Sequence, residues 1–423
     1  MDFYDRAKIR YTYHSKNHAS QHTDEYVFSQ LIPYIGNKRK LLPLIVDGLR
    51  ETGLTGGTAV DIFSGSTVVA RMFKQMGFKT LVNDWEPYAE HLGNCFIGLN
   101  EEPEFSKLGG ADRVLELLNN IEPREDYVTT YLCPSDDNCA DPNKERMFFT
   151  RENGMIIDAM RCQMQEWHDG GVISDSELSY LVAPLLYAAS YASNTSGLFN
   201  AYHAGWGGGT GTGLDRIKGR LFLRKPILHN NTHKNAVFRQ DAEDFAEGMA
   251  VANTLLKRET DVVYLDPPYN QHSYGSNYHV LNTIALWDKP ELSKEIMRGN
   301  KSAIRKDWQE SRRSAYNSSA ESKNAYASLL NKIKANFLLV SYSTEGNIPV
   351  HELIEESARH GRLSCVMEAY QRYRVSKQRP SARPRTLEFV LVVNRNQAPG
   401  GGDEVLDKII KAEKILNEAA VRS

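Results

Sequence analysis

Four residues in the stretch YLDPPYNQ, namely Asp266, Pro267, Pro268 and Tyr269, join a carboxylate, two prolines and an aromatic ring at the end of an apolar run. A strand ending there puts Asp266 in the crevice where open α/β sheets bind ligands. The Asp266 carboxylate and the Pro267 carbonyl can both accept hydrogen bonds from one exocyclic amine. Proline has no N–H to compete and fixes φ near −65°, which holds that carbonyl in place. Tyr269 offers a flat face on which a base can stack, an interaction of about 1–3 kcal/mol. An amine on an aromatic ring is a poor nucleophile because its lone pair is delocalised. Two acceptors aimed at its hydrogens favour the pyramidal nitrogen, whose lone pair can attack. The set therefore suits activation of a ring amine; the plainer reading is a strand that stops in a Pro-Pro turn.

Three other segments bear on ligand binding. In VDIFSGSTVVA, Asp61, Phe63, Gly65 and Ser66 surround a strand-to-helix turn where a ligand can sit against backbone N–H groups. Asp84 ends LVND, where an acid can grip the two hydroxyls of a ribose. It would also cap a helix starting at NDWEP. In PYIGNKRKLLPLI, a glycine turn at Tyr34, Ile35 and Gly36 leads into a helix whose first turn carries Lys38. N–H groups and a cation converging there would suit a carboxylate. Gly65 is the single glycine of its turn, which disfavours a GxGxxG dinucleotide site, and GGGTGTGLD lacks the Gly-Lys-Ser/Thr of a phosphate loop.

These residues need a scaffold. Apolar periodicity predicts helices over 38–49, 66–77 and 86–99, with strands at 58–63 and 79–84 between them. The pattern resumes with strands 235–240, 260–267 and 336–343, helices 242–257, 277–287 and 350–360, and two late strands, 363–370 and 386–394. Alternating strands and helices imply an α/β fold on a mainly parallel sheet, here seven-stranded with a terminal antiparallel hairpin at its edge. The domain is split, 31–100 and 233–396, around an inserted, mostly helical region, 101–232, with helices over 151–168 and 175–193. Residues 1–30 read as a polar arm without definite structure, and 397–423 as a C-terminal amphipathic helix.

Of 423 residues, 41% are apolar and 25% charged, an ordinary globular balance. No apolar run is long enough to span a membrane and the first residues carry no export signal, so a cytoplasmic location is expected. Five scattered cysteines without a Cys-x2-Cys pair suggest neither disulfides nor structural zinc. The net charge of −2 hides basic clusters at 214–239, 298–313 and 371–385. Screening limits attraction to roughly 8–10 Å, so such clusters can hold phosphates whatever the total.

Together these segments resemble the alpha-type, Dam-like (D12 class) adenine-N6 DNA methyltransferases. The match runs in that family's order: YIGNK, DIFSGSTVVA, VND, an interrupting recognition region, then DPPY, over about 31–100 and 180–394. The longer runs DPPYNQHSYGSNYHVLNTIALW, NTSGLFNAYHAGW and SYSTEGNIP are similar to a bacterial subgroup. The resemblance implies a Rossmann-like methyltransferase fold with S-adenosylmethionine as cofactor and no metal. Tyr34, Ile35, Gly36 and Lys38 would hold its methionine portion, and Asp61, Phe63, Gly65 and Ser66 would shape the pocket. Asp84 would take the ribose, and Asp241 would lie beside the cofactor adenine. Asp266, Pro267, Pro268 and Tyr269 would handle a target adenine flipped out of double-stranded DNA. Thr67 departs from the pattern, standing where many relatives carry a second glycine.

In the insert, Asn200, Tyr202 and His203 offer base-edge donors, and Arg216, Lys218 and Arg220 offer phosphate contacts. Tyr278 and His279 either touch DNA or pack the helix they begin. The resemblance leaves room for a separate restriction endonuclease as partner, the chain itself being a monomer or weak dimer. Other readings are N4-cytosine or RNA N6-adenine methylation, and a catalytically silent DNA-binding protein.

Overall fold

Along β4 (Thr260–Leu265), Val262 and Tyr264 join one hydrophobic cluster while Val263 and Leu265 join another, the two-residue alternation of a strand buried on both faces. The computed structural model describes residues 2–12, 24–211, 213–256, 260–271, 273–296, 299–305, 307–308, 313–371 and 385–421. β4 lies at the centre of a seven-stranded sheet with β1 (Thr58–Asp61), β2 (Lys79–Asn83), β3 (Ala236–Phe238), β5 (Ala335–Ser343), β6 (Arg362–Gln371) and β7 (Arg385–Asn394). The order is β3-β2-β1-β4-β5-β7-β6. β1 to β5 are parallel, and β7 runs antiparallel to both β5 and β6. The hairpin expected at the edge is there, but its second strand lies inward and the first forms the edge. Its connection, 372–384, carries most of the 371–385 basic cluster and lies outside the described residues, as do parts of the 298–313 cluster.

On one face, Leu42–Thr52 and Val68–Gln75 cover the sheet through Ile45, Leu49, Met72 and Phe73. Helices Ala242–Leu256, Ser322–Lys332, Val350–Ala358 and Gly402–Val421 contribute Phe245, Leu329, Leu353 and Ile409 to the other. The N-terminal segment is more ordered than its polarity suggested. Phe3–Tyr11 is a helix whose Tyr4, Ala7 and Tyr11 are buried in the same cluster as Leu42–Thr52. That spacing of three and four residues is a short apolar stripe.

Within the insert, Arg151–Asp169 and Asp175–Ala192 form where expected, the second opened by a capping box between Ser174 and Glu177. Its core is shared with the sheet domain. Leu181, Leu185 and Met160 belong to one cluster with Tyr88, Leu92 and Phe96 after β2 and with Tyr278 and Ile284 after β4.

Thr67 occupies a left-handed conformation, φ 66°, at the cap of Val68–Gln75. Such a backbone costs a residue with a Cβ about 1–2 kcal/mol. Its hydroxyl accepts from the buried Arg71 Nε at 2.9 Å, which explains a threonine where glycine would be less strained. Thr67→Ala keeps the strain and strands a charged donor, and is expected to lower stability by about 1–3 kcal/mol. Thr67→Gly should recover about 1 kcal/mol of that loss. Urea unfolding midpoints of the three proteins measure it; a glycine variant no better than alanine would show that the turn stores no strain.

Candidate active site

β1 ends at Asp61, and Asp84 and Asp266 are the first residues past the parallel strands β2 and β4, so the three acids gather at the carboxyl ends of neighbouring strands. The turn after β1 is tied to β2: Ser64 N donates to Asn83 O at 3.0 Å, and Gly65 N donates to Asp84 Oδ2 at 2.7 Å. The other Asp84 oxygen accepts from Glu86 N at 2.9 Å, so this acid both holds the turn and starts the next helix. Burial pushes its carboxyl up to about 6, against the pull of these amides. Asp61 lies deeper, 1% exposed, with Oδ1 unpartnered among the described residues. Burial, then the neighbouring Asp266 and Asp84, drives its carboxyl well above the usual carboxylate range.

Lys38 opens the short 3-10 turn Lys38–Lys40 and sends its ammonium inward, 3.0 Å from Asp266 Oδ1 and 5.0 Å from the centre of the Tyr269 ring. Burial works against its charge, but Asp266, Tyr269 and Glu388 more than offset that and hold it well above a normal lysine. Burial pushes Asp266 up while Lys38 opposes it.

Tyr34 lines the inner wall. Its ring stacks on Tyr278 at 5.1 Å and lies tilted against Tyr274 at 5.2 Å, and its hydroxyl meets that of Tyr88 at 3.1 Å. A Cβ on Gly65, whose φ is 45°, would lie 2.8 Å from this ring, so no larger residue fits there without moving Tyr34. Gly36, φ 72°, faces the Tyr269 hydroxyl in the same way at 3.3 Å.

A partly open pocket joins these parts. Tyr34, Phe63, Asp84, Asp241, Asp266 and Pro268 all line it. Asp61, Lys38 and Gly65 stand behind the wall. Tyr269, which does not line it, is braced from outside: Asn347 N donates to its carbonyl at 3.0 Å, and Asn317 Nδ2 donates to Asn270 O at 2.7 Å. Sequence reasoning missed Trp85, Gln240, Tyr274 and Tyr316, which also line the pocket. Tyr316 meets Phe63 edge to face at 5.4 Å. It follows a stretch without a motif, and no signal pointed to it.

None of the eight residues read as DNA contacts lines this pocket. Tyr278 is fully buried and its hydroxyl accepts from Ile35 N at 2.8 Å. His279 is buried, with Nε2 2.9 Å from Phe199 O, and Tyr202 donates to Pro142 O at 3.0 Å. For Tyr278 and His279 the packing alternative describes what is seen. Arg216 lies over the Tyr191 ring and donates to its carbonyl, and Arg220 pairs with Glu152 at 3.2 Å. Asn200 and Lys218 are exposed, and His203 is half-buried against the glycine-rich loop.

The sheet order with its antiparallel β7 and a ligand-sized crevice at the strand ends is the Rossmann-like architecture of methyltransferases. Residues 34–341 match the D12 class N6 adenine-specific DNA methyltransferase family, and the chain belongs to it. It is 28% identical over 368 residues to Type II methyltransferase M.NlaIII of Neisseria lactamica, covering 86% of this chain and 99% of that one. Identity is 32% over 347 residues to Type II methyltransferase M.FokI of Planomicrobium okeanokoites (81% of this chain, 48% of that one). To modification methylase LlaI of Lactococcus lactis subsp. lactis it is 27% over 395 residues (89% and 58%). The chain thus spans nearly all of the first relative and about half of the other two. No solved structure gives a significant match. The chain is an N6-adenine DNA methyltransferase.

Tyr278→Phe separates the two roles weighed for that residue. Losing the acceptor leaves Ile35 N–H buried and unpaired, with an expected stability loss of about 1–3 kcal/mol. The salt dependence of DNA binding, which counts phosphate contacts, should not change. A shallower salt slope at parental stability would instead put Tyr278 on the DNA.

Proposed function

We propose that the pocket binds S-adenosylmethionine and that Asp266, Pro267 and Tyr269 receive an adenine flipped out of double-stranded DNA. The observation that carries this reading is that Asp84 and Asp266 line one cavity, so a nucleoside gripped at the first acid reaches toward the second. Asp84 would accept the ribose hydroxyls, and its carboxylate has lone pairs to spare after two backbone N–H groups. Phe63, Tyr316 and Asp241 would bound the cofactor adenine, and Tyr34, set close against Gly65, the methionine side. When bound, S-adenosylmethionine supplies a methyl group on a cationic sulfur.

The chain's own residues do the rest. Asp266 and the Pro267 carbonyl accept the amine hydrogens and keep the nitrogen lone pair available, while Tyr269 carries the base. Extracting that base from the duplex costs a few kcal/mol, which stacking and these hydrogen bonds offset. None of this asks for a metal. Its likeness to Type II methyltransferases and a modification methylase supports a role as the modification enzyme of a restriction–modification pair or as a solitary methylase. Such an enzyme would act in the cytoplasm as a monomer or weak dimer, with any restriction endonuclease on a separate chain.

Labelled S-adenosylmethionine and unmodified duplex DNA test the reading. Label should appear at adenine N6, EDTA should leave the rate unchanged, and Asp266→Ala should lower it by about 100-fold or more. DNA binding without label transfer by the parent would establish the silent alternative. A second expectation comes from Asp84. Its carboxyl is raised from 3.8 to about 6, so the protonated form, which cannot accept two hydroxyl protons, fills as pH falls below 6. Cofactor affinity should be flat above pH 7 and weaken toward about tenfold per unit below 6. Calorimetry measures this, and Asp84→Asn should be weak and flat; a parental profile unchanged down to pH 5 would remove Asp84 from the ribose site.

A further inference from the structure

Lys38 sits in a helix-start turn suited to a carboxylate, yet its ammonium is not among the groups lining the large pocket. It is 3% exposed and lies beside Asp266 and the Tyr269 face, on the side where the target base is received. Oδ1 of Asp266 is buried and stands 3.0 Å from the ammonium, and a carboxylate oxygen in such a pair still has a second lone pair to offer. Oδ1 thus keeps acceptor capacity, and the ammonium, with three N–H donors, has protons to give. An acceptor and a donor held side by side is the pattern by which an amide side chain reads adenine through its amine and a ring nitrogen. Glu388 on β7, Tyr264 on β4 and Tyr370 on β6 are other titratable groups interacting with the ammonium, and Glu388 and Tyr264 favour its charge.

We propose that Lys38 is a specificity-determining residue that donates to the ring nitrogen next to the target amine while Asp266 accepts from the amine itself. The inference rests on the methylation reading above. An amine beside an unprotonated ring nitrogen satisfies both partners. Thymine presents a carbonyl beside an N–H, and guanine a carbonyl beside an N–H on one edge and beside N7 on the other, so in each case a carbonyl oxygen is set against the carboxylate. In adenine the nitrogen is N1 or N7. Cytosine has a counterpart to the first alone, so the identity of the nitrogen also decides whether cytosine is refused.

The test uses duplexes carrying the sequence the enzyme is found to methylate, with adenine, 1-deazaadenine or 7-deazaadenine at the target. Single-turnover rates are compared for the parent and Lys38→Met; the ratio between enzymes cancels the altered reactivity of each analogue. The parent should lose about tenfold or more on one analogue and not the other. Lys38→Met should be slow on all three, with that discrimination gone and cofactor affinity within about twofold of parental. Two results overturn the proposal alone: a parent that methylates both analogues at the adenine rate, or a Lys38→Met that keeps the discrimination while losing cofactor affinity. The first needs no variant, so misfolding of Lys38→Met does not remove the test. A parent that labels no adenine overturns the methylation reading, and this proposal with it.

Discussion

Three acids end three neighbouring parallel strands, and burying them together is the constraint around which this site is arranged. Asp61, Asp84 and Asp266 cannot all stay ionised in a dry crevice without compensation. Each is handled differently. Asp84 is turned onto two backbone amides, Asp266 is set against the Lys38 ammonium, and Asp61 is left deep with its carboxyl driven up. The lysine must come from before β1, so the chain's entry into the sheet is fixed by the same electrostatics that hold the target residue. Removing one partner of such a buried pair strands the other, which costs far more than a surface ion pair gains.

The cavity wall is tied to the rest of the fold through tyrosines. Tyr34 before β1 packs against Tyr274 and Tyr278 after β4, and the Tyr278 hydroxyl accepts a hydrogen bond from Ile35 N. Tyr278 also belongs to the hydrophobic cluster that holds the helices of the insert. The region that interrupts the domain in sequence therefore shares a core with the elements that carry Asp266. A strain imposed on the insert would meet packed side chains of that shared cluster, because interiors at crystal-like density do not yield locally.

Much of this was legible in one dimension. The seven strands and the helices that cover them follow from apolar spacing, which burial on one or two faces imposes directly. The Asp-Pro-Pro-Tyr set could be singled out as a candidate site because an acid, a rigid carbonyl and an aromatic ring are neighbours in the chain. Surface and interior were harder to tell apart for Tyr278, His279 and Tyr202. Aromatic and imidazole groups bury well once one polar atom is paired, and the carbonyls and amide that pair them lie up to 243 residues away in the chain. The N-terminal helix escaped notice because its three apolar contacts are diluted by charged residues on the other face.

The sequence by itself determined most of the strand and helix pattern and the placing of an acid beside a rigid carbonyl at 266–267, since each depends on neighbours in the chain. Only the tertiary structure decided that β7 enters the sheet between β5 and β6, that Tyr316 closes the pocket beside Phe63, and that Lys38 faces Asp266. Those are contacts between segments tens to hundreds of residues apart, fixed by which arrangement buries the most apolar surface while leaving the fewest charges unpaired, and no local pattern encodes that balance.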